Sequence, residues 1–82
     1  MVIQINVKAG VLLAGLSPRF PSGETEKIFT VASGTTLGDL LKIAAIPGDH
    51  VGFAAVNGEK ADSNYLLQQG DEVIFFPYIV GG

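Results

Sequence analysis

Hydrophobic and polar residues alternate at the start of the chain, in the stretch VIQINV at residues 2–7. Ile3, Ile5 and Val7 fall on one face of an extended segment, and polar side chains fall on the other. This period of two is typical of a half-buried strand. The stretch KIFTV at residues 27–31 predicts a second strand, which we expect to pair with the first as a hairpin.

The connection between these two strands, residues 8–26, is rich in glycine and proline. We expect a long loop there, with a strand extension over residues 11–13. A structureless loop of this length is unusual in a compact domain and is often functional. The sequence alone assigns it no role.

A helical period appears in SGTTLGDLLKIAAIPG, residues 33–48. Its apolar residues recur at i, i+3, i+4 and i+7, namely Leu37, Leu40, Leu41 and Ala44. This spacing places them on one side of a helix. Because this is the one clear helix of the chain, we expect its apolar side to cover one face of a small sheet.

Local signals mark both ends of this helix. Thr36 and Asp39, three residues apart, resemble a capping box, in which each side chain bonds the other residue's backbone N–H. Pro47 and Gly48 are expected to stop the helix. Gly38 inside it costs about 1 kcal/mol relative to alanine, so we expect a close approach to a neighbouring element there.

The remaining elements are predicted from turn residues. VGFAAVNGEK is a strand that ends in Asn57-Gly58, a strong hairpin signal because a type I′ turn needs positive φ at both positions. ADSNYLLQQGDE is expected to form a short helical turn. EVIFFPY is the last strand, and it ends at Pro77 because proline has no N–H to donate. The predicted fold is therefore α+β, with one main helix packed on one face of a small mixed sheet.

Composition and charge exclude several classes of function. The 82 residues make one domain with 48% hydrophobic residues and no cysteine, so the chain has no disulfide and no thiol nucleophile. Its five lysines and arginines are scattered, and its net charge is −3, which argues against nucleic-acid binding. No apolar run approaches the roughly 20 residues that span a bilayer, and no secretory signal is recognisable. We expect a cytoplasmic protein with no membrane partner.

The residue types that act as catalytic groups or metal ligands in other proteins do not occur here at the spacings of known catalytic or metal-binding motifs. His50 is the only histidine, and no serine and aspartate stand at the spacing of a catalytic triad. Asp71 and Glu72 are adjacent, so on a strand they point to opposite faces. Glu59 and Asp62 belong to no calcium-loop pattern. We therefore expect no metal site and no catalysis by the chain alone.

Three stretches resemble the MoaD/ThiS family of ubiquitin-like sulfur carriers: AAVNGE at residues 54–59, LLQQGDEVIFFP at 66–77 and GG at 81–82. GTTLGDLL at 34–41 is similar to the start of the family's helix. Within the family, FFP before the tail is most similar to the small subunit of molybdopterin synthase. The resemblance implies a β-grasp, ubiquitin-like fold for residues 1–82, with residues 77–82 as a flexible tail.

The resemblance also implies the chemistry of the tail. An E1-like adenylating enzyme uses ATP to activate the carboxylate of Gly82, and a sulfur donor protein converts the adenylate to a thiocarboxylate. That sulfur passes to a pterin precursor on the molybdopterin synthase large subunit, while the chain itself binds no cofactor. Gly81 and Gly82 suit this role, because a backbone without Cβ passes a narrow channel and approaches a nucleotide closely.

Period two also separates the apolar residues of the last strands into two sets. If one set faces the helix, it consists of Ala54, Val56, Val73 and Phe75. Phe53, Ile74 and Phe76 then lie on the open face, where grouped exposed aromatics mark a partner site. The family's hydrophobic docking patch aligns with Phe53 and Phe76. The contrary expectation is that residues 8–26 fold over this face and bury it.

Three other functions stay open for the same fold and tail. A thiamine-pathway sulfur carrier would deliver its sulfur to thiazole synthase. A ubiquitin-like modifier would be joined to lysines of other proteins through Gly82. A plain β-grasp interaction module would use neither reaction. A tungsten cofactor needs the same carrier as a molybdenum cofactor, so the sequence does not choose the metal.

Overall fold

The computed structural model of the protein describes residues 1–21 and 23–78. Its strands are Val2–Lys8 (β1), Glu26–Ala32 (β2), Val51–Val56 (β3), Glu59–Ala61 (β4) and Glu72–Pro77 (β5). Its helices are Gly10–Gly15 (α1) and Leu37–Ile43 (α2), followed by a 3₁₀ turn at Gly48–His50. The strands form one sheet in the order β2-β1-β5-β3-β4. β1 and β5 are parallel and the other neighbours antiparallel, which confirms the mixed sheet of the predicted α+β fold.

β1 and β2 form the hairpin that the alternating sequence predicts. Ile5 lies opposite Phe29, and both side chains are buried. Gln4, between two inward-facing residues, is exposed on the other face. The inward side chains meet the apolar side of α2 in a single core. Its largest fully buried side chains are Ile5, Leu13, Leu40, Val7 and Val73.

The connection at residues 8–26 differs from the prediction. Residues 11–13, expected to be extended, lie in helix α1. Leu13 and Ala14 are buried in the core, whereas Val11 is exposed. The period of a short apolar run such as VLLA does not distinguish a strand from a helix. Leucine and alanine have high helix propensity, and a helical turn buries two consecutive side chains on the same side of the chain.

The start of α2 agrees with the sequence. Thr36 Oγ1 accepts a hydrogen bond from the backbone N–H of Asp39 at 3.2 Å. The Asp39 carboxylate accepts one from the backbone N–H of Thr36 at 3.4 Å, which completes the capping box. Gly38 makes the expected close approach, because a Cβ added there would lie 3.1 Å from the Cβ of Ser63.

The end of α2 comes earlier than Pro47, the residue expected to stop it. Ala45 takes a left-handed φ of 56°, and its N–H donates to the carbonyl of Lys42. The N–H of Ile46 donates to the carbonyl of Leu41. These two bonds form the Schellman motif that closes a helix, in which alanine occupies the position that usually holds glycine.

Residues 62–71, between β4 and β5, form turns and an isolated bridge instead of the helical turn predicted over residues 61–72. The N–H of Leu67 donates to the carbonyl of Thr35 at 3.0 Å. The carbonyl of Tyr65 accepts from the N–H of Leu37 at 2.9 Å. Bonds to the start of α2 thus replace the bonds of a local helix, and the sequence of the segment alone does not reveal them.

The turn between β3 and β4 has the predicted type I′ backbone, with φ of 52° at Asn57 and 87° at Gly58. The buried carboxylate of Asp71 supports this turn. Its Oδ1 accepts from the side-chain amide of Asn57 at 2.9 Å, and its Oδ2 accepts from the backbone N–H of Gln68 at 2.8 Å. Asp71 is therefore a structural residue that ties the turn to the start of β5.

Candidate functional site

Alternation along β5 divides its side chains between two environments. Val73 and Phe75 lie in the core, at 0% and 3% exposure, whereas Ile74 and Phe76 are only half-buried. Phe53 on β3 is 43% exposed. The structure therefore places Phe53, Ile74 and Phe76 on the sheet face opposite α2. We call these three residues the open-face patch.

The two aromatic rings of the open-face patch are stacked. Phe53 and Phe76 are direct partners in the register of β3 and β5. Their ring centroids are 4.4 Å apart, and their planes differ by 14°. An aromatic pair contributes about 0.5–1.5 kcal/mol beyond the area it buries, so the rings hold each other in place. A preformed apolar surface of this kind loses little side-chain entropy when a partner binds.

Two lysines border the open-face patch. Lys60 Nζ lies 5.4 Å from the centroid of the Phe53 ring, within the range of a cation–π interaction. Lys8 is the β1 neighbour of Ile74, and its Nζ lies 3.4 Å from a carboxylate oxygen of Glu72. Because Glu72 offsets the charge of Lys8, the cationic edge of the patch comes mainly from Lys60, on a chain of net charge −3. This edge suits a partner with an acidic side chain beside an apolar pocket.

The buried residues of the connection between β1 and β2 lie on the other side of the sheet. Phe20 packs against Phe29 in the core, with ring centroids 5.8 Å apart. The hydroxyl of Ser17 donates to the carbonyl of Ala44 at the end of α2. These contacts hold the connection on the helix side, so the expectation that it buries the open face is wrong for this part of the chain.

The segment predicted as the tail begins beside the open-face patch. Pro77 is still a residue of β5, and the N–H of Tyr78 donates to the carbonyl of His50 at 2.8 Å. The sheet therefore holds the first two residues of a segment predicted to be flexible. Gly81 and Gly82 lie outside the described residues, and their role stays a prediction.

Three residues around this site, Gly52, Lys8 and Lys60, were not predicted from the sequence. The register of β3 and β5 shifts between Val51 and Phe53, which places Gly52 in a bulge. A glycine inside a strand sequence often marks a bulge or a close backbone approach, so the signal was present in VGFAAV. Lys8 and Lys60 carried no such signal, because their neighbours at the patch come from other strands.

The remaining candidate groups are those that could form a metal site, namely the histidine, aspartate and glutamate side chains of the described residues. Within residues 1–21 and 23–78, no three histidine, aspartate or glutamate side chains lie close enough together to hold a metal ion. No helix in that part of the chain is long and apolar enough to cross a membrane.

The order of the strands, the parallel pair at the centre of the sheet and the helix across one face define a β-grasp, ubiquitin-like domain. The chain belongs to the ThiS family, whose profile matches residues 12–82. This match confirms the family resemblance that the sequence motifs indicated. Comparison with curated protein sequences returned no match.

Solved structures of three archaeal proteins have the same fold. SAMP1 from Haloferax volcanii, a small archaeal modifier protein, is 23% identical with a TM-score of 0.69, over 96% of this chain and 99% of that one. The HVO 2177 protein of the same organism is 20% identical with a TM-score of 0.75, over 99% and 88%. A protein named as a candidate molybdopterin converting factor, subunit 1, from Pyrococcus furiosus is 21% identical with a TM-score of 0.71, over 94% and 99%. At these identities the likeness confirms the predicted β-grasp fold.

Proposed function

We propose that this protein is a sulfur carrier whose Gly82 carboxylate is adenylated and converted to a thiocarboxylate, and that the sulfur serves molybdopterin synthesis. One observation carries the proposal: the match to the ThiS family runs through residue 82 and so includes Gly81 and Gly82. The open-face patch beside the start of the tail supports it, because an enzyme that processes a short tail needs a second surface by which to hold the domain.

The proposed reaction begins with activation, because a carboxylate is a poor electrophile. The Gly82 carboxylate attacks the α-phosphate of ATP in the E1-like enzyme, and pyrophosphate leaves. The outer sulfur of a persulfide on a donor protein then attacks the acyl carbon, and AMP leaves. A thiol reduces the resulting acyl disulfide, which releases the donor protein as a mixed disulfide and leaves a thiocarboxylate on Gly82. The lack of cysteine in the chain is consistent with this route, since the sulfur is carried on Gly82. In this scheme the protein is a substrate and the sulfur-donating subunit of a synthase, and ATP is bound by its partner.

We assign docking to the open-face patch. Phe53 and Phe76 offer two stacked rings, and Ile74 extends the apolar surface between them and β1. Large aromatic side chains in a desolvated pocket dominate many binding energies. The E1-like enzyme and the molybdopterin synthase large subunit would bind this patch in turn. Each needs lysine or arginine near the tail, because a desolvated negative end requires a charged partner.

A ubiquitin-like modifier is the second candidate function. The likeness to SAMP1, a protein named as a modifier, favours this function. That likeness covers 96% of this chain. The likeness to the Pyrococcus protein named for molybdopterin conversion favours the carrier to a similar degree. A modifier would form the same adenylate, but an amine of another protein would finally attack the acyl carbon in place of sulfur.

Intact-mass measurement after incubation with ATP, an E1-like enzyme and a sulfur source separates these functions. We expect one oxygen of the protein to be replaced by one sulfur. Adducts with lysines of other proteins would support the modifier and overturn the carrier. An unchanged mass would overturn both and leave a plain interaction module. The matched control is the chain without Gly82, which should keep its mass under all conditions.

The pathway is tested by capture of partners from the native extract. We expect the molybdopterin synthase large subunit to be recovered with the wild-type chain and lost with a Phe76→Asp variant. Recovery of thiazole synthase in its place would overturn the molybdopterin assignment and support the thiamine-pathway carrier. The Phe76→Asp comparison separates specific docking from non-specific capture.

A further inference from the structure

We infer that Gly52 is a positioning residue for the tail: its lack of a side chain lets the backbone of Pro77 and Tyr78 pass against β3, which fixes the point where the tail starts. The inference rests on the proposed function, in which the end of the tail is the reacting part. It goes beyond that function by naming the feature of the domain that aims the tail.

Gly52 is the extra residue of a β-bulge. Val51 lies opposite Pro77. Phe53 lies opposite Phe76, so three residues of β3 span two residues of β5. Bulges bend a strand and are over-represented next to active sites, where they redirect side chains or end the pairing. This bulge lies where β5 ends and the tail leaves the sheet.

The bulge leaves little room for a side chain at Gly52. An added Cβ would lie 3.1 Å from the carbonyl oxygen of Pro77 and 3.3 Å from the Cα of Tyr78. Both are backbone atoms, which cannot rotate away as the end of a side chain can. Among residues 1–21 and 23–78, the glycines with positive φ are Gly10, Gly23, Gly34, Gly58 and Gly70. Since Gly52 is not one of them, glycine is needed here for space and not for backbone conformation.

A hydrogen bond holds Tyr78 in this position. Its N–H donates to the carbonyl of His50 at 2.8 Å, just before the start of β3. Pro77 has no N–H to contribute, so this bond is the main-chain tether of the tail's start. An extended chain covers about 3.5 Å per residue, so the four residues after Tyr78 keep Gly82 within about 14 Å of it.

The same bulge connects the start of the tail to the open-face patch. Phe53 follows Gly52, and Phe76 precedes Pro77, while the two rings are stacked. A partner that holds these rings therefore receives the tail from a fixed origin. Because a misplacement of about 1 Å can slow a bound reaction about a hundredfold, a side chain at Gly52 should slow activation without weakening docking.

Two variants with two matched controls test this inference. Gly52→Ala and Gly52→Val place one and three carbons against the Pro77 carbonyl. Gly38→Ala makes an equally tight contact, at 3.1 Å, but with Ser63 and not with the start of the tail. Gly15→Ala meets nothing within 4 Å. The first measurement is the exchange rate of the Tyr78 amide by NMR, and the second is the rate of adenylation by the E1-like enzyme.

We expect Gly52→Val to speed exchange of the Tyr78 amide about fivefold or more through loss of its hydrogen bond, with a smaller effect from Gly52→Ala. We also expect kcat for adenylation to fall about tenfold while KM stays within about twofold, and neither control to reproduce this split. Unchanged exchange at Tyr78, or equal losses in Gly38→Ala, would overturn the inference. The exchange measurement needs no partner, so it tests the role of Gly52 in holding Tyr78 even if the wild-type chain is never adenylated. Failure of the wild-type chain to be adenylated would overturn the proposed function and not the contact between Gly52 and the tail.

Discussion

Phe75 and Phe76 are neighbours on β5, yet they lie in different environments. Phe75 is 3% exposed and belongs to the core beneath α2. Phe76 is half-buried on the opposite face, stacked on Phe53. The side chains are identical, so the period of the strand alone assigns one to the core and the other to the patch. One face of the sheet packs into the core, and the opposite face carries the open-face patch.

The largest effect on stability is expected from Phe75→Ala. Emptying a buried phenylalanine site costs about 3–5 kcal/mol, a large part of the roughly 4–12 kcal/mol that stabilises a domain of this length. Phe76→Ala should cost only about 1 kcal/mol, mainly through the lost ring stacking. Urea denaturation followed by circular dichroism measures both losses. Equal losses would mean that both faces of the sheet belong to the core.

The next largest effect should appear in binding and not in folding. Phe76→Asp places a charge in the middle of the open-face patch and should weaken binding of the E1-like enzyme by about 2 kcal/mol or more. Ile28→Asp is the matched control, since Ile28 is 61% exposed on the same face of the sheet, where β1 separates its strand from β5. Titration calorimetry gives both affinities. Equal weakening by the two variants would contradict docking at the patch, and unfolding of Phe76→Asp would contradict the division between the faces.

A stabilising change on the helix side should leave binding untouched. Ala45→Gly relieves a left-handed φ of 56°, which costs an alanine about 1 kcal/mol, so the melting temperature should rise. The neighbouring Ala44 has a right-handed φ of −74°, and Ala44→Gly should lower the melting temperature. If Ala45→Gly also changed the affinity for the partner, the covered side of the domain would not be independent of the open face.

The smallest effect concerns the cation beside the patch. Lys60→Gln removes a charge that lies over the Phe53 ring and should weaken partner binding by about 0.5 kcal/mol at low salt. The loss should fade as the ionic strength rises, since salt screens exposed charges. Lys42→Gln on α2 makes the same charge change away from the patch and should have no effect. A loss that is independent of salt would mean that Lys60 acts through packing.

Periodic patterns predicted the parts of the fold that depend on local sequence. The alternation of apolar and polar residues predicted β1 and its hairpin with β2. The pair Thr36 and Asp39 predicted the capped start of α2. The same period of two places Phe53 and Phe76 on the open face. The strand pattern, the helix cap and the division between the faces each depend on residues a few positions apart, which is why the sequence reveals them.

The features that the sequence did not predict depend on distant contacts. Helix α1 is selected because Leu13 completes the core, and residues 62–71 follow bonds to the start of α2. Ala45 ends α2 in a backbone conformation that alanine rarely takes. No local pattern determines these three features. A glycine inside a strand sequence does indicate a bulge, but the position of the bulge at Gly52 depends on the register between β3 and β5.

The central claim is that the domain docks through its open face and reacts through the end of its tail, and deletion of Gly82 tests it most directly. Adenylation by the E1-like enzyme would be measured beside the melting temperature and the affinity for the same enzyme. We predict that the deletion abolishes adenylation and leaves the melting temperature unchanged. The affinity for the enzyme should stay within about fivefold of the wild-type value, because docking depends on the open-face patch. A truncated chain that is still adenylated, or that still supports cofactor synthesis, would contradict the account.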